Sequence, residues 1–534
     1  MAVGRADIAS ELRAFAGFLG GVPQLVRLQM PVQQALAIVQ ERLRYRERNF
    51  LAVMERGAYG NPRSPYRALL AMAGCTLGDL RAQVASDGLD GTLTRLRRDG
   101  VYVRFEEFKG LEPIVRGSLT IHAVPSDFDN VTSRRYYATT TGGSTGEGRR
   151  VFLDLEHLEA SLPSRIMVRH VQGISGIPAA SWSDLPPGGG LKAVLLQAAA
   201  GEPALDWFTA RALNARTVPR RYRLATHAAL TVARLAGAKV AWPRNVPFDQ
   251  AIVLAHWARE QVLRVGACTI HSSVSRILRI AIAATEAGID LTGAVLRGGG
   301  EPPTPSKVAQ IVRSGATFHS SYAFTEAGSV GSSCLHSESP NDQHFMRDQL
   351  AMIQASRPVP GFDLDVPAFC FTSLLPSAPK LLLNVESDDY GTVDTRPCGC
   401  LWETLGFPEH IRDIRSFRKL TGEGVTLVGS NVERILDEHL PARFGGTSFD
   451  YQFVEEEDEH GFTRLTLRVA PTIALGDDTA IVEFVLHALE RTGVAGALAL
   501  HSWRQAGTLR IRREVPVMTA RGKLMPLVVG VRVS

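Results

Sequence analysis

Between residues 131 and about 415 short apolar runs alternate with amphipathic stretches: LKAVLLQAAA, then AIVLAHWAREQVLRV, then LTGAVLRGGG. Strands read as short apolar or alternating runs and helices as longer periodic ones. Their repeated alternation points to a layered α/β body in which helices cover a sheet. Residues 184–190, DLPPGGG, read as a flexible connection inside that body.

The flanks have other patterns. Residues 1–130 look helical: Pro31 suits a helix start, and Val32, Leu36, Val39 and Leu43 recur behind it at helical spacing. Arg42, Arg44, Arg46 and Arg48 follow closely and read as a solvated helix face rather than a phosphate-binding patch. GNPRSPY, residues 60–66, is a turn. From 416 onward GVTLVGSNV reads as a strand and VERILDEHL as a short helix. YQFVEEEDEHGFTRLTLRVA reads as a hairpin with acidic residues at its tip, and AIVEFVLHALERTG as an amphipathic helix. The expected fold is therefore α/β, with a helical segment over 1–130 packed on a large body over 131–415. A small α+β domain over 416–534 completes it. At 534 residues the chain is also too long for one simple core, given ~100–200 residues per domain.

Apolar residues at 45% and charged residues at 21% exclude a disordered, collagenous or fibrous chain. Net charge is 59 − 54 = +5, too weak for a dedicated nucleic-acid binder but compatible with an anionic small substrate. Only seven of the 59 basic residues are lysines, so a lysine in a polar motif stands out. Six cysteines, at 75, 268, 334, 370, 398 and 400, are too few for a disulfide scaffold and suggest a reducing, cytoplasmic setting. No apolar run reaches ~18 residues, so neither a membrane span nor a membrane partner is expected. The mixed-charge start MAVGRADIASELRAF does not read as a signal peptide.

Two segments carry chemistry. In YYATTTGGSTGEGRRVFLDL a strand-like run leads into Thr139, Thr140, Thr141, Gly142, Gly143, Ser144, Thr145 and Gly146. Glycines let backbone N–H groups approach phosphate oxygens, and the hydroxyls add donors. The Walker ending is absent, and a plain polar turn fits these residues equally well. SSYAFTEAGS, residues 320–329, follows GGGEPPTP and offers an aromatic ring, then Thr325 and Glu326. It suits a base and a magnesium-bound phosphate, or an ordinary loop.

In order, TTTGGSTGEG, GGGEPPTP, YAFTE, LLLNVESDDYG, FRKLTGEGVTLVGSNV and TARGKLMPL resemble the motif series of the adenylate-forming superfamily. That superfamily holds acyl-CoA synthetases, peptide-synthetase adenylation domains and luciferases, and the resemblance is strongest to its phenylacetate–CoA ligase branch. It covers roughly residues 50–534 and is weakest over 155–260. It implies that ATP, Mg2+ and a carboxylic acid, aryl or arylacetic in this branch, form an acyl-adenylate, which then passes to coenzyme A. Thr141 to Gly146 would cradle the ATP phosphates. Gly300 and Glu301 would line the adenine side, Tyr322 would stack on the base, and Asp389 would accept the ribose hydroxyls. Arg418 would contact ribose or phosphate, Thr325 a phosphate, and Glu326 the magnesium. Lys523 would bridge carboxylate and α-phosphate from a mobile C-terminal domain.

The chain departs from the family at two places. Glu147 stands where the glycine loop usually continues with lysine, with Arg149 a substitute nearby, and Glu423 is the nearest match to the usual hinge residue. The branch also implies a structural zinc held by Cys334, His344, Cys398 and Cys400, with His336 as a competing ligand. Cys75, Cys268 and Cys370 lie in apolar contexts and read as packing residues. His271, in TIHSSVSRIL, is either a substrate-pocket residue or a packed histidine. Two other readings stay open: transfer of the activated group to an amine, carrier protein or other acceptor, and an inactive nucleotide-binding scaffold. Expected partners are the acid and the acyl acceptor, with homodimerisation left open.

Overall fold

The computed structural model describes residues 5–130, 138–140, 150–152, 154–186, 188–215, 218–301, 303–358, 365–416, 419–422, 425–428, 435–447, 450–474, 477–490, 503–517 and 527–529. Its centre is a twelve-stranded sheet. Across it the order is Arg244–Asn245, Leu205–Thr209, Ala179–Trp182, Cys268–Ser273, Ala294–Gly299, Thr317–Phe324, Gly328–Ser332, Gln343–Phe345, Glu409–Ser416, Val385–Thr395, Asp365–Ser373 and Leu350–Pro358. Neighbours are parallel from the first edge to Thr317–Phe324. Beyond that strand every pair is antiparallel.

Parallel neighbours need crossovers, and helices supply them here: Gly190–Ala199, Arg220–Leu235, Ile252–Val265, Val274–Glu286 and Pro305–Arg313. Both faces of the parallel half are therefore covered. On one face Ala180, Trp182, Phe208, Ile270 and Leu296 pack against Leu254, Ile277 and Leu278. On the other Ala179, Leu205 and Trp207 meet Leu158, Leu162 and Ile166 of helix Leu155–Val171 and Leu195 of Gly190–Ala199. The antiparallel half packs through Phe369, Phe371 and Leu383 on Phe50, Leu69, Leu80 and Leu93 of the N-terminal helices. The helix after Pro31 runs from Val32 to Arg44 and buries Ala35 and Val39.

A separate four-stranded sheet is ordered Leu509–Arg512, Thr463–Val469, Tyr451–Glu457 and Leu527–Val529, with an antiparallel hairpin at its centre and parallel outer pairs. Ile481, Val485 and Leu489 of helix Asp478–Glu490 cover it together with Trp503. At the hairpin tip Asp458 binds Arg464 at 2.6 Å. This tip touches the body. Lys307 Nζ donates to Thr463 Oγ1 at 2.8 Å, Thr304 Oγ1 to Glu457 Oε2 at 2.8 Å, and Gln310 Nε2 to the His460 carbonyl at 2.6 Å. The fold class is thus α/β as expected: a mixed-sheet body with a helical N-terminal segment, and a small α+β sheet near the C-terminus. No helix among the described residues is long and apolar enough to cross a membrane.

Three sequence readings are corrected. LKAVLLQAAA lies in a helix, Gly190–Ala199, buried on nearly every side, so no polar stripe marks its period. Of the four clustered arginines, Arg42 is turned inward to the Ala160 carbonyl at 2.7 Å and to Asp348 at 3.7 Å, and Arg46 to the Arg347 carbonyl at 3.0 Å. In DLPPGGG the described residues are packed: Leu185 and Pro186 are buried, and the Gly188 N–H donates to the Leu185 carbonyl at 2.8 Å. A Cβ on Gly190 would lie 2.3 Å from the Trp207 ring, whereas one on Gly189 would meet nothing within 4 Å. Gly190→Ala will therefore lower unfolding stability by ~1–3 kcal/mol through overpacking. Gly189→Ala will stay within ~0.5 kcal/mol of the parent. Denaturant melts of the two variants side by side check this.

Candidate active site and metal-ligating cluster

In open α/β sheets the carboxyl ends of parallel strands are where ligands bind, because helix N-termini and loops gather there. Gly300 and Glu301 follow Ala294–Gly299, and Thr325 and Glu326 follow Thr317–Phe324. Gly300 takes φ +74°, which lets the chain turn out of the sheet. Glu301 is buried and accepts a hydrogen bond from Ser275 Oγ, on the first turn of helix Val274–Glu286. Thr304 then caps helix Pro305–Arg313.

Tyr322 and Asp389, 67 residues apart, meet directly: the phenol donates to Asp389 Oδ2 at 2.7 Å. Burial, and then the Asp389 charge, push the phenol well above its ordinary range, so it remains a protonated donor. Asp389 is buried, and its N–H donates to Ser387 Oγ at 3.1 Å. Thr325 is exposed and Glu326 half-buried. Glu326 Oε1 accepts from Lys109 Nζ at 2.7 Å. The sequence reading missed Lys109, which lies 217 residues earlier, just after the short helix Phe105–Phe108. Its rarity as one of seven lysines was the available signal.

Thr141, Gly142, Gly143, Ser144, Thr145, Gly146, Arg418 and Lys523 lie outside the described residues, as do Glu147, Arg149 and Glu423. The strands on either side of the glycine-rich loop, Ala138–Thr140 and Arg150–Phe152, pair antiparallel.

Cys334, His344, Cys398 and Cys400 come together, with ligand atoms all within 4.8 Å of one another. His344 Nδ1 is 2.7 Å from the Phe407 carbonyl, so it carries the proton and donates it there. That leaves Nε2 as a lone pair facing Cys400 Sγ at 3.2 Å and Cys398 Sγ at 3.5 Å. A carbonyl that fixes the tautomer in this way is the usual outer support of a metal-ligating histidine. Glu403 accepts the Cys398 and Gly399 N–H groups at 2.8 and 2.7 Å and pins the Cys-Gly-Cys turn, with Gly399 at φ +69°. The Cys334 thiol is held well below its ordinary range, first by the Cys400 sulfur, which shares a proton with it, and then by His344. His336 is turned elsewhere, its Nδ1 2.8 Å from the Cys398 carbonyl. Three sulfurs and one imidazole at this spacing fit tetrahedral zinc with no position open. Burial pushes the thiols of Cys268 and Cys370 up to about 12, in keeping with packing residues.

No protein-family model matches the chain, and no curated protein matches it in sequence. Solved structures do. One is 2-hydroxyisobutyryl-CoA ligase in complex with 2-HIB-AMP and CoA in the thioesterification state. It is 14% identical, with a TM-score of 0.52 over 94% of this chain and 91% of that one. The same ligase in an open conformation gives 14% identity and a TM-score of 0.43 over 93% and 92%. A mutant amide bond synthetase from Marinactinospora thermotolerans gives 15% and 0.39 over 90% and 92%. The first of these establishes the fold: the chain has the architecture of that CoA ligase.

Proposed function

We propose that the protein is an adenylate-forming ligase. It activates a carboxylic acid, aryl or arylacetic, as an acyl-adenylate with release of pyrophosphate, and passes the acyl group to a thiol, most simply coenzyme A. The observation that carries this reading is the convergence of Gly300, Glu301, Tyr322, Thr325, Glu326 and Asp389 at the mouth of two adjoining parallel strands.

In this reading Asp389, already oriented by Tyr322, accepts the ribose hydroxyls, and the Tyr322 ring faces the base. Thr141 to Gly146 hold the phosphates, Thr325 touches one of them, and Arg418 supports ribose or phosphate. Glu326 holds magnesium, which when bound neutralises phosphate charge. The Lys109 ammonium pairs with that carboxylate in the meantime. Lys523 stands between the attacking carboxylate and the α-phosphate, two anions that repel each other until a cation lies between them. The four-ligand cluster holds zinc as a structural element away from the chemistry.

We also place a mobile domain at 416–534, which delivers Lys523 and then rotates for the second half-reaction. Limited proteolysis should cut near 416–423, and solution scattering should change with ATP and acid. One rigid, uncleaved body under all conditions would refute the rotation.

The decisive experiment is a pyrophosphate-exchange screen over an acid library, followed by mass spectrometry of the product with coenzyme A present. An acid-dependent exchange signal and an acyl-CoA mass are expected. An amide or a carrier-bound acyl group, formed when an amine or carrier thiol replaces coenzyme A, assigns a different acceptor. No exchange with any acid leaves the scaffold reading.

A further inference from the structure

Arg297 sits at the centre of a row of side chains that crosses the parallel strands in register. Ser181 is opposite His271, His271 opposite Arg297, and Arg297 opposite His319. Side chains two residues apart on a strand share a face. Ser181 therefore shares the face of Ala179, where helices Leu155–Val171 and Gly190–Ala199 pack. Those helices add Arg165, Arg169 and Lys192 to the same layer: Arg165 and Arg169 repel the Arg297 charge, and Arg165 repels that of Lys192.

These four cations have little to balance them. Among the described residues one carboxylate acts on them, Glu202, ion-paired with Arg169 at 3.3 Å. The side chains of Arg165, Lys192 and Arg297 make no hydrogen bond or ion pair with any described residue, and the Nε atoms of Arg165 and Arg297 are buried without a partner. Burial, and then the neighbouring cations, push Arg297 down to about 9, Arg165 to about 10 and Lys192 to about 8. Yet Arg165, Lys192, Arg297 and His271 are each only half-buried. Each therefore keeps some accessible surface. Desolvated cations without counter-ions are costly, and an anion supplied by a ligand removes that cost.

The position of the row says which ligand. Arg297 and His319 each lie three residues before a candidate site residue, Gly300 and Tyr322, on the same strands. At ~3.3 Å per residue that is about 10 Å deeper into the sheet. Arg165 is ten residues along its helix from Leu155, just beyond the glycine-rich hairpin. At ~1.5 Å per residue that is about 15 Å along the helix from its start. The cations are thus placed for the far end of the acid and not for the nucleotide.

We propose that the substrate is an acid with two anionic groups: the carboxylate that is adenylated lies at the strand ends, and a second carboxylate, sulfonate or phosphate lies among Arg165, Lys192 and Arg297. This rests on the adenylate-forming reading and narrows its substrate class. His271 and His319, flanking Arg297, contribute ring surface and N–H donors to the same anion.

The test uses the full-length protein with phenylacetate, 4-carboxyphenylacetate, 4-sulfophenylacetate and the neutral 4-carbamoylphenylacetate, and with adipate against its monoamide. The dianions should exchange pyrophosphate with at least tenfold higher kcat/KM than their neutral partners. The carboxylate and sulfonate arms identify the second anion. Arg297→Gln, and independently Lys192→Gln should the first fail to fold, should reduce that preference at least tenfold. Equal use of amide and dianion by the parent overturns the proposal, as does an unchanged preference in the folded variants. If no acid supports exchange, the adenylation reading fails, and binding decides the present one. In that case 4-carboxyphenylacetate should raise the melting temperature of the parent more than 4-carbamoylphenylacetate does, and the difference should vanish in the variants. Equal shifts for the two compounds overturn the anion site.

Discussion

Lys523→Ala will cut acid-dependent pyrophosphate exchange by roughly two to three orders of magnitude, the scale of losing one preorganised charge donor in a transition state. ATP affinity will change little, because the nucleotide contacts proposed for Thr141 to Gly146, Tyr322 and Asp389 do not involve this lysine. Thioester formation from a supplied acyl-adenylate will survive, since that step brings no carboxylate against a phosphate. Lys523→Arg will rescue poorly, because a broad planar guanidinium does not replace a compact ammonium in a narrow gap. Glu326→Gln will instead weaken the magnesium-dependent step. Exchange by Lys523→Ala at the parent rate would show that the C-terminal segment plays no part in adenylation.

Protein prepared without chelator will contain about one zinc per chain, and removing it will cost more stability than any single core substitution. The sulfurs of Cys334, Cys398 and Cys400 crowd around the His344 Nε2 lone pair, an arrangement that a divalent cation turns from repulsive to cohesive. Structural zinc contributes ~10–16 kcal/mol of apparent binding in small zinc domains. In this larger body the loss on Cys398→Ser should be on the order of 5 kcal/mol, since part of the site stays packed without the metal. The readouts are elemental analysis and the midpoint of a denaturant melt. At a temperature where the variant remains folded, its ranking of acids should match the parent's. Metal-free parent protein with undiminished stability would dispose of the idea.

What could be read beforehand divides along physical lines. The Val32–Arg44 and Asp478–Glu490 helices each have one wet and one dry side, and periodicity shows that directly, while the 451–469 hairpin was legible from its two strand-like runs about a turn although both its faces are largely buried. Gly190–Ala199 is dry nearly all round, so its run could not be told from a strand. Cys398 and Cys400 announced themselves as a close pair, and the order of the resemblance supplied Cys334 and His344. No local pattern could pair Lys109 with Glu326 or assemble Arg165, Lys192 and Arg297, because register and helix placement, both long-range, bring those groups together. His271 was left between two meanings, and its place opposite Arg297 gives it a context that neither meaning contained.

Lys307 is nearly fully buried where the small sheet meets the body, and among the described residues its ammonium bonds only a neutral hydroxyl, that of Thr463. An ammonium has three protons to donate and water can accept them all. Separating the two surfaces would therefore return hydration to Lys307 while removing one hydrogen bond. Around it, Thr304 with Glu457 and Gln310 with a carbonyl have water as a ready substitute, whereas Phe462 of the same tip is buried in the body's apolar core beneath the Arg279 guanidinium and has none. Under the proposed rotation the junction would act as a detent whose depth is set mainly by withdrawing Phe462 from the body's core and only slightly by the polar contacts. Lys307→Met would deepen it by replacing a group that gains from water with one that loses.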